Sequence, residues 1–87
     1  ELDNKDEYLK IIEVTKNKDF ITMVNLVNDL ASPSNMYTFI YKNINLFPKE
    51  KLPQIIVVIS KYQFQDGSVR DKNLNLSACL TELLSVL

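Results

Sequence analysis

The chain has no histidine and no tryptophan, one glycine, one cysteine and three prolines. Each shortage excludes something. Without histidine there is no imidazole to act as a base or metal ligand at neutral pH. A lone glycine cannot build the glycine-rich loop that cradles nucleotide phosphates. Cys79 has no second cysteine for an intrachain disulfide, and it sits among leucines at helical spacing, where a thiol packs as a small hydrophobe. That usage fits a reducing, cytoplasmic setting. So few glycines and prolines favour long regular elements over a turn-rich β fold.

Charge of one sign is also missing. Ten basic and eleven acidic residues give a formal charge of −1 and are spread along the chain. No basic stripe exists to neutralise nucleic-acid phosphates. No run approaches the roughly 20 apolar residues that cross a bilayer. The opening Glu1-Leu2-Asp3-Asn4 has neither the cationic start nor the apolar centre of a signal peptide. A start without Met fits a segment cut from a longer polypeptide. Asp3, Asp6 and Glu7 read as the acidic start of a helix rather than as metal ligands. No catalytic, cofactor-binding or metal-ligating set is expected in this segment.

What is present is one small domain, residues 1–87, with 46% hydrophobic residues, enough for a core but a thin one. The spacing of those residues predicts an all-α fold, an irregular five-helix bundle. Asp3 or Asn4 caps a first helix with Tyr8, Ile11 and Ile12 on its stripe and Leu9 and Val14 on the flanks. Lys16-Asn17-Lys18 ends it. Asp19 caps a second helix carrying Phe20, Met23, Val24, Val27 and Leu30. Ser32 and Pro33 open a third helix running from Met36 to Phe47, with Tyr37, Phe39, Ile40 and Ile44 on its broad apolar face. Tyr37, Tyr41 and Tyr62 are expected as amphipathic core.

Residues 55–59, five β-branched side chains in a row, have strand propensity. Yet Leu52, Ile55, Ile56, Ile59 and Tyr62 keep a helical stripe, Pro53 suits a first turn, and no second strand is available for pairing. The segment is therefore expected to be a helix, central and surrounded by neighbours. Gly67 is expected to end it in a left-handed conformation. Asp71 then caps a fifth helix with Leu76, Cys79, Leu80, Leu83 and Leu87 on one face. Leu74, Ala78, Thr81 and Ser85 fall on the opposite face. Three small residues beside one leucine suit close approach by a neighbouring helix, which makes these four the candidate subunit interface.

From Lys10 to Leu87 this layout resembles the C-terminal collar of sliding-clamp loader ATPases, the small subunits of replication factor C and its phage relatives. The resemblance rests on Lys16-Asn17-Lys18-Asp19-Phe20, on Asn28-Asp29-Leu30, on the stretch Ile55 to Gly67 and on Asn73-Leu74-Asn75-Leu76. Lys61-Tyr62-Gln63-Phe64-Gln65-Asp66-Gly67 is most similar to loaders of T4-like phages. The chain departs from the pattern at Ser68-Val69-Arg70, where many relatives carry a Gly-Ala type link.

The resemblance implies a role in DNA replication. An AAA+ ATPase module and a lid would lie N-terminal to Glu1 and would hold ATP and Mg. Through those modules the loader would meet the sliding clamp and primed DNA, in bacterial or phage-infected cytoplasm. The collar itself, with no enzymatic part, would join neighbouring loader subunits in a ring, pentameric in the full assembly. Two other readings use the same features: a collar-like oligomerisation domain of another AAA+ ATPase, or a stand-alone helical adaptor binding a peptide in a groove.

Overall fold

The computed structural model describes residues 5–87. It is an all-α bundle of five helices: α1 (Lys5–Lys16), α2 (Phe20–Asn28), α3 (Met36–Lys42), α4 (Leu52–Asp66) and α5 (Lys72–Val86). Short 3-10 turns at Pro33–Asn35, Ile44–Leu46 and Lys49–Lys51 complete it. The expected caps Asp3 and Asn4 lie outside the described residues.

In α1, Tyr8, Ile11, Ile12 and Thr15 face the core. Threonine closes the stripe because its hydroxyl donates to the Ile11 carbonyl at 2.7 Å and so is not buried unpaired. The helix ends at a left-handed Lys18, φ 62°. There the Lys18 N–H bonds to the Thr15 carbonyl and the Asp19 N–H to the Val14 carbonyl, the two bonds of a Schellman ending. Asp19 then accepts from the Thr22 N–H and starts α2. Gly67, expected in the left-handed region, has φ −68° instead. It gives α4 a right-handed ending that needs no glycine, and the left-handed site falls on a lysine.

Three element boundaries differ from expectation. Helix α2 stops at Asn28, and Leu30, still buried, lies beyond it. Ser32 makes no side-chain cap; its carbonyl instead accepts from the Tyr8 hydroxyl at 3.0 Å. Helix α3 breaks at Asn43, whose amide donates to the Phe39 carbonyl at 2.9 Å. That local bond competes with helix propagation, so Ile44 and Phe47 reach the core from a 3-10 turn and an extended residue.

The β-branched run is helical throughout. Ile55, Val58 and Ile59 are buried, and each closed side chain contributes about 1.5–3 kcal/mol. Ile56 and Val57 are exposed, which corrects the expectation of a surrounded helix. The main neighbours of α4 are α3 and α5, whereas α5 packs on α1, α2, α4 and the turn at Pro33. The central helix is thus α5. Its inner face holds Asn75, Leu76, Cys79, Leu80 and Leu83, while Leu87 lies just past its end and is half-buried. Tyr41 and Phe20, expected inside, are largely on the surface.

Candidate assembly surface

The outer face of α5 follows from its own periodicity. Residues 74, 78, 81 and 85 lie within a narrow sector opposite the buried stripe, and all four are exposed. Leu74 is 65% exposed. Beside this face runs α2, whose Phe20 and Val24 turn the same way. Together with Asn28, Asp71, Leu74, Ser77, Ala78 and Thr81 they line an open groove of about 380 Å³. Ser85 lies on the strip but outside the groove. The sequence placed four residues on this surface; the contribution of Phe20 and Val24 was missed because both were assigned to the core.

The groove is anchored from behind. Asp71 accepts from the Leu74 N–H at 3.1 Å and fixes the first turn of α5. The Asn73 amide donates to the carbonyls of Val27 (2.8 Å) and Leu30 (3.3 Å), holding the end of α2 against the start of α5. On the inner side, the Asn75 amide donates to the Tyr37 hydroxyl at 2.9 Å and to the Tyr62 carbonyl at 3.0 Å. Burial pushes the Tyr37 hydroxyl well above its ordinary pKa, so it stays protonated. The Cys79 thiol is likewise pushed up by burial, to about 12, which makes it inert at neutral pH.

A second polar link ties α4 to α5. Lys61 donates to the Glu82 carboxylate at 2.9 Å and 3.1 Å, and the Tyr62 hydroxyl donates to the same group at 2.9 Å. These bonds hold the Glu82 carboxyl below its ordinary range, and the bond to Glu82 raises Lys61. Tyr62 is raised mainly by burial, then by its bond to Glu82. At the hinge, Asp66 accepts from the Ser34 hydroxyl at 2.7 Å and lies 3.9 Å from the Lys72 ammonium, which also donates to the Asp66 carbonyl. Its partners are therefore Ser34 and Lys72.

These polar groups brace helices against one another. Tyr37 and Asn75 are closed off from solvent, Cys79 has no adjacent base, and Glu82 is held by two donors. Among the described residues no group of three or more acidic, Cys or His side chains is arranged to hold a metal ion. No described helix is long and apolar enough to cross a membrane. What the arrangement offers a partner is the braced apolar groove between α2 and α5. Comparison with protein-family models, with curated proteins and with solved structures finds no match to the chain.

Proposed function

We propose that this chain is the subunit-assembly collar of a sliding-clamp loader acting in DNA replication. It would hold neighbouring ATPase subunits in a ring while their catalytic modules move. The observation that carries the reading is the exposed strip of Leu74, Ala78, Thr81 and Ser85 on α5. The reverse side of the same helix forms the centre of the core. A helix gripped by three others is a stiff support for a contact, and small side chains let a second helix approach closely.

In this reading ATP and Mg belong to modules N-terminal to Glu1, as do the contacts with the clamp and primed DNA. The collar contributes no chemical step. It raises the effective concentration of the ATPase modules around one another, so that weak, changing contacts between them remain intramolecular.

The test is Ala78→Glu in the full-length loader and in the 87-residue chain. Glutamate is a good helix former and the site is exposed, so the short chain keeps its stability within about 0.5 kcal/mol. An unpaired carboxylate closed into an interface costs about 3 kcal/mol or more, and ring assembly weakens about a hundredfold. An unchanged assembly equilibrium removes the reading. Peptide capture by a monomeric full-length protein would assign the groove to an adaptor instead.

A further inference from the structure

Gly67 is the one glycine of the chain, and the fold gives no conformational reason for it. Its backbone is right-handed, with φ −68° and ψ −21°, a conformation open to any residue. A Cβ built there would meet nothing within 4 Å. What the glycine changes is the chemistry of the peptide bond before it. With no side chain beside it, the Gly67 nitrogen is open to attack on the preceding carboxyl. No other aspartate or asparagine in the chain precedes a glycine.

We propose that Asp66–Gly67 is a latent self-modification site, which converts to isoaspartate when the α4–α5 hinge opens and is held unreactive by Ser34 and Lys72. The inference is independent of the assembly reading. The carboxylate takes a proton from solvent. The Gly67 nitrogen then bonds to the side-chain carbon Cγ, and its own hydrogen leaves with the carboxyl hydroxyl as water. The product is a five-membered succinimide ring, and water returns by adding to either of its carbonyls. Opening at the side-chain carbonyl restores aspartate. Opening at the main-chain carbonyl routes the backbone through Cβ and gives isoaspartate, with no net change in mass. Solvent water is the only co-reactant.

Ring closure needs two rotations, and a named side chain opposes each. The ring sets Cβ and the Gly67 nitrogen in one plane about the Cα–C bond, whereas Asp66 ends α4 and a helical ψ is about −40°. Leaving that value swings the Asp66 carbonyl, which accepts from the Lys72 ammonium. The carboxyl must also turn onto the nitrogen. Its Oδ2 accepts from the Ser34 hydroxyl at 2.7 Å and lies 3.9 Å from the Lys72 ammonium. Oδ1 is buried without a hydrogen-bond partner, so Oδ2 alone holds the group in place. Ser34 belongs to the turn before α3 and Lys72 to the first turn of α5. Two elements outside α4 therefore lock the reactive pair, and a local opening of the hinge releases it.

The experiment ages the 87-residue chain at neutral pH, in native buffer and in concentrated urea. Isoaspartate is counted by enzymatic methylation and located by peptide mapping. In urea the parent chain, Ser34→Ala and Lys72→Met should form it at position 66 at one common rate, and Gly67→Ala should form little. In native buffer the parent should react about a hundredfold more slowly than in urea. Ser34→Ala and Lys72→Met should each raise that native rate about tenfold, the factor that one hydrogen bond to a charged group is worth. Ile11→Val, a core change on α1 away from the hinge, should leave it within about twofold.

A parent chain that ages equally fast folded and unfolded would overturn the inference, because nothing would then be holding the site. Native rates left unchanged by both Ser34→Ala and Lys72→Met would overturn it as well. If Ile11→Val accelerates the reaction as much as they do, overall stability protects the bond and the two residues do not. Isoaspartate arising in urea mainly away from position 66 would remove Asp66–Gly67 as the reactive bond. Should Lys72→Met fail to fold, Ser34→Ala decides alone, since Ser34 is half-buried and loses only its hydroxyl.

Discussion

Replacing Asn75 by leucine tests whether the buried polar contact between α3, α4 and α5 is a paired unit. The substitution keeps the volume roughly constant and removes two hydrogen bonds, at 2.9 Å and 3.0 Å. Each lost bond is worth about 1 kcal/mol, and the Tyr37 hydroxyl left unpaired at 1% exposure costs a further 1–3 kcal/mol, roughly. The added apolar surface returns about 1–2 kcal/mol. The net loss is about 2 kcal/mol, or roughly 8–16 °C in Tm for a domain of this size. Urea unfolding followed by circular dichroism reads it as a shift in midpoint with the slope unchanged. Combining Asn75→Leu with Tyr37→Phe removes both partners, and the double variant should recover to within about 1 kcal/mol of the parent chain. A double variant as unstable as Asn75→Leu alone, or less stable, would refute the argument.

Ile59 is 4% exposed in α4, and Ile59→Ala should cost about 2–5 kcal/mol in the same assay; a loss below about 1 kcal/mol would make α4 peripheral. The Lys61–Tyr62–Glu82 link gives a pH signature. Glu82 is held below its ordinary value of 4.5 in the folded chain, so the unfolded chain binds its proton first as pH falls. Its stabilisation is therefore complete above that value and lost as pH falls through the depressed one. Glu82→Gln should flatten this acid limb in a series of Tm measurements below neutral pH, and an unchanged limb would contradict it. Lys61 is raised, so its contribution is complete below the ordinary 10.5 and lost only as pH rises past it.

How much of this was legible depended on whether a residue's role is set by its own helix. Helical spacing is a local property, and it placed Tyr8, Ile11, Met23, Val27, Ile55, Ile59 and the inner face of α5 correctly. It also gathered Leu74, Ala78, Thr81 and Ser85 on one exposed face. Periodicity does not say how many neighbours a helix has. Phe20, Ile56 and Val57 were therefore taken as inside when each faces solvent. Asn75 was hidden by the converse rule, since an asparagine between leucines reads as surface until Tyr37 and Tyr62 are brought to it. The break in α3 had a local signal in Asn43, whose side chain competes for the Phe39 carbonyl. The left-handed Lys18 had none, because glycine is the usual mark of that conformation and here it stands elsewhere.

The clasp made by Asn73 has a consequence in time. It adds a second bond to the carbonyl of Val27, 46 residues earlier, which already accepts from the Leu30 N–H. A ribosome adding 5–20 residues each second takes roughly 2–9 s to cover that distance. Throughout that interval α2 has α1 to pack on but not α5. Helix α5 joins α1, α2, α4 and the turn at Pro33, and it is also the last of the five to be made. The α1–α2 and α3–α4 pairs can meet before it, but the core they share closes only when α5 arrives.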